Sequence, residues 1–188
     1  MSVWITSDPH WGHRLVAALR GFDNPDDHDA ALLATFQATV KPDDQVWWLG
    51  DLAMGNPAKA LAHTASIPGH HHLIVGNHDR CSPTFRDSHK HQRAYFDVFK
   101  SVQAFARRRI GTTNVLLSHY PYVTDDGQAD HGEVRYEQYR LPDQGQWLLH
   151  GHTHNANQRL HGKQIHVGLD AWEMKPVNLD TIAALMSN

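Results

Sequence analysis

A chain of 188 residues with 40% hydrophobic and 20% charged side chains is too apolar for a disordered segment and long enough to bury the core of a single domain spanning 1–188. Its apolar runs are far shorter than the roughly 20 residues a bilayer span requires, and the opening Met1-Ser2-Val3-Trp4-Ile5-Thr6 lacks a basic n-region, so neither membrane insertion nor secretion is expected. A net charge of −3 excludes a global basic field for nucleic acid, and the lone Cys81 excludes an internal disulfide or a cysteine zinc cluster, so the expected setting is the reducing cytoplasm.

Taken in chain order, short runs rich in Val, Ile, Leu and Trp, each followed by polar residues or glycine, predict buried strands at Val3–Thr6, Val46–Leu49, Leu73–Val75, Val115–Leu117 and Trp147–Leu149. Between the first three, a helix is expected over about 28–40, where Leu32, Leu33, Phe36 and Val40 share a face and Asp26 or Asp27 caps. A second is expected over about 57–66, with Asn56 as cap, Pro57 at the first helical position, and Leu61, Ala62 and Ala65 on one side. Strand and helix in alternation imply a layered α/β fold. Further on, Val102–Ile110, Thr112–Leu117, Arg159–Leu160 and Gln164–Val167 read as mixed sheet. A hairpin connection is expected over Leu160–Gln164, and a terminal helix over Leu179–Met186 capped by Asn178 or Asp180. Thr124–Gln146 shows no clean period and reads as a long loop, partly helical near Val134–Tyr139.

Seventeen histidines, as many as Lys and Arg together, are the compositional outlier. Metal-ligand residue types follow each buried strand: Asp8-Pro9-His10, Gly50-Asp51, Gly76-Asn77-His78-Asp79, Ser118-His119 and His150-Gly151-His152-Thr153-His154. In α/β sheets ligands bind outside the carboxyl ends of strands, so these clusters can converge despite their separation in sequence. Asp8 and His10, two apart in an extended segment, face the same side, and His152 and His154 repeat that spacing. Asp8, His10, Asp51, Asn77, His119, His152 and His154 make a mixed oxygen and imidazole set too large for one tetrahedral zinc, which points to two ions with Asp51 as the natural bridge. Two ions roughly 3.5–4 Å apart would lower the pKa of a shared water and clamp the oxygens of an in-line displacement at phosphorus.

Asp-x-His, Gly-Asp, Gly-Asn-His-Asp, His and Gly-His-x-His, matched here in order, resemble the five-part signature of the calcineurin-like metallophosphoesterases, most closely the small single-domain enzymes of bacteria and phages; the likeness runs from Ser7 to about Pro176. The resemblance implies a two-layer mixed β sandwich flanked by helices. It also implies one cation on residues corresponding to Asp8, His10, Asp51 and His154, and another on Asp51, Asn77, His119 and His152. Mn²⁺ is the expected occupant, with Fe, Zn²⁺ or Ni²⁺ as alternatives. His78, next to a ligand, would contact phosphate with Asn77 and protonate the leaving oxygen, while Asp79 would orient its imidazole and keep it protonated.

With no capping domain, the cleft should be open to phosphodiesters such as 2′,3′-cyclic nucleotides, and it also admits monoesters. A nuclease acting on nucleic acid ends and a non-catalytic protein-binding scaffold of the same fold are the alternatives. The first lacks a basic surface, and the second does not need the complete ligand set. His13 and Arg80 lie beside the motifs and are candidates to touch phosphate, as guanidinium forks suit its oxygens; Arg135 and Arg140 in the loop share that reading. Trp11 reads as packing or pocket wall, Tyr136 and Tyr139 as loop packing or a stacking surface for a base, and Arg107-Arg108-Arg109 as a solvated face or a polyanion contact. His70-His71-His72, His89 and His91 read as solvated edge. Residues 124–146 fit a lid or a contact between copies in a homo-oligomer.

Overall fold

The computed structural model describes residues 1–123, 135–159 and 161–187. The chain runs β1 (Val3–Thr6), α1 (Arg14–Leu19), α2 (Pro25–Thr39), β2 (Gln45–Trp48), α3 (Pro57–Ala65), β3 (His70–Ile74), α4 (Gln92–Phe96), β4 (Ser101–Gln103), β5 (Phe105–Ile110), β6 (Thr113–Ser118), β7 (Trp147–His150), β8 (Gln164–His166), β9 (Val177–Asn178) and α5 (Leu179–Ser187). Two sheets form, a five-stranded one in the order β4-β3-β2-β1-β9 and a four-stranded one in the order β5-β6-β7-β8. In the first, β1 to β4 are parallel and β9 is antiparallel to β1; in the second, β6, β7 and β8 are parallel and β5 is antiparallel to β6.

Alternation along the first-sheet strands explains the layering, because successive side chains point to opposite faces. Ile5, Trp47, Leu49 and Ile74 meet Val115, Leu117, Leu149 and Ile165 of the second sheet in one cluster, which is the filling of the sandwich and also takes in Ile182 of α5. The opposite face presents Val46, Trp48 and Leu73 to Leu32 and Phe36 of α2, Ala60 and Leu61 of α3, and Tyr95 and Phe99. The expected α/β sandwich flanked by helices is the observed fold. Among the described residues, no helix is long and apolar enough to cross a membrane.

Several local expectations are corrected. Helix α2 begins at Pro25, with Asn24 rather than Asp26 or Asp27 as cap, its side chain accepting from the Asp27 N–H at 2.9 Å. Val102–Ile110 is not one strand: β4 joins the first sheet and β5 the second. Of His70-His71-His72 only His70 is exposed as a solvated edge requires, because β3 lies between β2 and β4. His71 is buried, accepting from Trp48 Nε1 at 3.1 Å and donating to Ile67 O at 2.9 Å, and His72 stacks on Trp47 with centroids 4.5 Å apart. His89 is exposed and His91 pairs with Asp87 at 3.4 Å. Arg107 and Arg109 are exposed, while Arg108 folds over the Trp47 ring at 4.9 Å. Of the long loop, residues 124–134 lie outside the described residues, and Glu137–Tyr139 forms a single 3₁₀ turn. Leu160 is likewise outside, and Arg159 pairs antiparallel with Ile165, as a hairpin requires.

Candidate metal centre

Because β1, β2 and β3 are parallel, Asp8 and His10, Asp51, and Asn77 with His78 emerge at one edge; β6 and β7, also parallel, bring His119, His152 and His154 there. Main-chain bonds stitch the loops together, from Asp8 N–H to Gly50 O at 3.0 Å, His10 N–H to Asp51 O at 3.1 Å and Gly151 N–H to His119 O at 3.0 Å. Across the sheets, the His152 N–H donates to the Asp8 carboxylate at 3.0 Å. Two motif glycines are required by close approach: a Cβ on Gly76 would collide with Asp51 Oδ1, and one on Gly151 with Ser7 Oγ and Asp8 Oδ2.

The side chains fall into two clusters able to hold a cation, Asp8 with His10 and His154, and Asp51 with His119 and His152. In the first, His10 Nε2 and His154 Nε2 are 3.1 Å apart; in the second, His119 Nε2 lies 3.1 Å from both His152 Nδ1 and Asn77 Oδ1. Ligand bonds of roughly 2.0–2.2 Å put neighbouring donors roughly 3–3.5 Å apart, so these spacings match the edge of a coordination polyhedron. Asp51 Oδ2 sits between the clusters, 3.5 Å from His119 Nε2 and 3.9 Å from His10 Nε2, while its other oxygen accepts from the His78 N–H at 2.9 Å. Tautomers follow from fixed acceptors. His119 Nδ1 donates to Leu49 O at 2.7 Å and His154 Nδ1 to Asp170 Oδ2 at 2.8 Å, which turns each Nε2 toward its cluster. Asp8 Oδ1 is fully buried and accepts no hydrogen bond among the described residues, an orphaned anionic oxygen that a cation would satisfy.

Backbone strain marks the same residues. Asp8, His10, Asp51, His152 and His154 all have left-handed φ, between 49° and 71°, and among the described non-glycine residues only Tyr136, Glu173 and Met174 share that conformation. Each such residue costs on the order of 1–3 kcal/mol and persists only where its surroundings overdetermine it. Charge is equally concentrated. Burial works against the Asp8 and Asp51 carboxylates, yet the imidazoles around them, His119 foremost, hold both below the usual range. Burial pushes His10 down to about 3; burial also weighs most on His119, but the Asp51 and Asp8 carboxylates and the Leu49 carbonyl together raise it to about 9. The donor set fits two divalent cations.

His78 stands at the mouth of the site, its Nε2 3.9 Å from Asp51 Oδ2 and its side chain 30% exposed. Asp79 does not orient it, which corrects the expectation: both Asp79 oxygens accept main-chain N–H groups, from Gly76 at 2.7 Å, Leu52 at 3.0 Å and Asp51 at 3.1 Å. Asp79 is a buried staple between the loops after β2 and β3, and burial with the Asp51 charge pushes its carboxyl up to about 7. Arg80 is also engaged elsewhere than expected, donating to both Asp87 oxygens at 3.1 Å and lying over the Phe85 ring. His13 caps α1 through Nδ1, accepting from the Val16 N–H at 3.1 Å, and its ring meets that of His10 edge-on at 5.4 Å. Trp11 is buried in the helix-side core and is packing. Tyr120, Tyr136 and Tyr139 cluster beside His152, with the Tyr120 and Tyr136 rings 4.9 and 5.6 Å from its imidazole. Arg140 is buried, its Nε donating to Arg135 O at 3.1 Å. Arg20 and Asp170, which bear on the first cluster, belong to no motif and carry no local sequence signal; only the fold brings them there.

A sandwich whose strand ends gather carboxylates and imidazoles into two adjoining clusters has the donor set of a metal-dependent hydrolase. The calcineurin-like phosphoesterase superfamily domain matches residues 1–169, and the chain belongs to that superfamily of metal-dependent phosphoesterases. It is 42% identical over 185 residues to the gene 66 protein of Mycobacterium phage L5, covering 91% of this chain and 87% of that one. The gene 66 protein of Mycobacterium phage D29 is 44% identical over 182 residues, covering 91% and 89%. Among solved structures, a protein of unknown function from Aquifex aeolicus superposes with a TM-score of 0.71 at 20% identity over 98% of both chains, a likeness of fold.

Proposed function

We propose that the chain hydrolyses phosphodiesters of the nucleotide class, 2′,3′-cyclic nucleotides foremost, with one divalent cation on Asp8, His10, Asp51 and His154 and a second on Asp51, Asn77, His119 and His152. The position of Asp51 Oδ2 between the two imidazole clusters carries the reading, because a carboxylate so placed serves both ions. When bound, such a pair supplies an activated water and neutralises charge building on the phosphoryl oxygens. Manganese suits a set that mixes carboxylate and amide oxygen with imidazole. His78 Nε2, half-exposed beside Asp51, is placed to hand a proton to the departing ester oxygen, with Asn77 and His13 flanking the phosphate. The nucleotide preference is supported by the tyrosines beside His152. Tyr136 is half-buried and holds a left-handed φ of 57°, a costly placement for an aromatic ring at the edge of the site, where it offers a base a stacking surface.

The test is hydrolysis, with Mn²⁺ added, of a 2′,3′-cyclic nucleotide, bis-p-nitrophenyl phosphate, p-nitrophenyl phosphate and a single-stranded oligonucleotide. The cyclic nucleotide should be cleaved fastest and EDTA should abolish turnover. Dominant oligonucleotide cutting would replace this reading with a nuclease, and faster monoester cleavage would replace it with a phosphomonoesterase. His78→Ala should retain two equivalents of metal and lose roughly 10²–10⁴ in kcat; an unchanged kcat removes His78 from the chemistry.

A further inference from the structure

We propose that Arg20 and Asp170 form a bracket that assembles the Asp8–His10–His154 half of the site and sets its cation affinity separately from the other half, an inference that rests on the two-cation reading above. Asp170 receives the His154 Nδ1 proton at 2.8 Å through Oδ2. It is held in turn by Arg20, whose Nε reaches Oδ1 at 2.8 Å and whose Nη2 reaches Oδ2 at 3.0 Å, a two-pronged pair with the Arg20 side chain only 4% exposed. The same guanidinium donates from Nη2 to Asp8 O at 2.9 Å and from Nη1 to Pro9 O at 3.3 Å. One buried cation therefore grips the carbonyls of the strained Asp8-Pro9-His10 segment and, through Asp170, the imidazole of His154.

The bracket continues away from the site. His28 Nε2 accepts from Arg20 Nη1 at 3.1 Å, and His28 Nδ1 donates to Asp29 Oδ1 at 3.2 Å. Asp29 Oδ1 also accepts the Gly12 N–H at 2.9 Å, closing a loop around the Asp-x-His segment from the start of α2. Arg20 is the rigid fork this requires, because its five fixed donors can serve a carboxylate and two carbonyls at once. The other half of the site is held differently. His119 is oriented by the main-chain carbonyl of Leu49, and Asp51 by the His78 N–H. Because Arg20 neutralises Asp170, the bracket acts by fixing the geometry and tautomer of the ligands rather than by adding field at the cation.

The experiment is titration of Mn²⁺ into the EDTA-treated, dialysed full chain, followed by calorimetry and by the electron paramagnetic resonance of free Mn²⁺, for wild type, Asp170→Asn, Arg20→Gln and the milder Arg20→Lys. Circular dichroism confirms that each variant is folded. Wild type should take up two equivalents. Asp170→Asn should bind one with unchanged affinity and the other 10- to 100-fold more weakly, the usual cost of losing the partner that orients a ligating histidine. Arg20→Gln should weaken the same equivalent although it leaves an uncompensated carboxylate nearby, and Arg20→Lys should weaken it less. In the metal-free protein, nitrogen NMR should show His154 protonated at Nδ1 in wild type and lose that preference in Asp170→Asn. Equal weakening of both equivalents, no weakening, or tighter binding by Arg20→Gln would overturn the bracket. A wild type that takes up two Mn²⁺ while the variants match it sinks this inference alone; a wild type that takes up none sinks the two-cation reading beneath it.

Discussion

The two sheets contribute to the same site but hold their share of it by different means. Loops of the first sheet are fastened from within that sheet: Asp79, leaving β3, accepts N–H groups from the loop after β2 and from its own loop. The second-sheet loops are held by a neutral side chain and by the other sheet: Gln164 Oε1 of β8 accepts the Tyr122 N–H of the loop after β6 at 2.8 Å. Gly151 bonds to His119 within the sheet, the N–H of His152 is received by Asp8 of the other sheet, and buried His150 donates from Nδ1 to Gly151 O at 2.8 Å. The difference teaches that a buried carboxylate ties the first-sheet loops to one another, whereas the second-sheet loops rely on a neutral amide and on a bond across the sheets to Asp8.

The sharpest way to break the contrast is to remove the group both halves share. Asp51→Asn should abolish uptake of at least one Mn²⁺ and lower kcat/KM about a thousandfold or more, because the ions contribute several kcal/mol at about 1.4 kcal/mol per decade; metal analysis with steady-state kinetics checks it. Next, Asp79→Asn puts an amide N–H against main-chain N–H donors, so it should destabilise the metal-free chain by about 1–3 kcal/mol in urea denaturation. If Asp79 is a staple, the pH profile of kcat should keep its shape; had it governed His78, the profile would move.

The smallest effect concerns the second sheet. Burial, with His166 adding to it, pushes His150 down to about 3 from its ordinary 6.5. A folded value below the unfolded one means that the neutral ring's contribution to stability is complete above about pH 6.5 and is lost as pH falls toward 3, since the unfolded chain then binds the extra proton. Whatever His150→Gln costs at pH 7.5, the gap to wild type should therefore narrow below pH 6.5, by at most about 1.4 kcal/mol per pH unit. Urea midpoints measured in EDTA at pH 7.5 and 5 test this, and a constant gap would place His150 in contact with water.

Legibility in the sequence follows the range of the interactions involved. Strand β1 and the start of α3 are where the pattern places them, because an apolar run and an Asn56-Pro57 cap act within a few residues. The residues that gather in the two clusters were legible too, since glycine, carboxylate and imidazole recur just past each buried run. What escaped depends on partners far along the chain. The break between β4 and β5 reflects which sheet each strand joins, the burial of His71 reflects the strands on both sides of β3, and the role of Asp79 reflects N–H groups some 27 residues away. Arg80 fell to Asp87 and Phe85 because a long side chain goes where a carboxylate and a ring already wait.

The order of residues by itself determined the elements, the chemistry of the donors and their exit at strand ends, because hydrophobic period, capping and turn propensity are local. Tertiary structure alone decided which oxygen of Asp51 lies between the clusters, which nitrogen each imidazole presents and that Arg20 and Asp170 stand behind His154. Those are matters of distance and direction across two sheets, and no spacing along the chain encodes them.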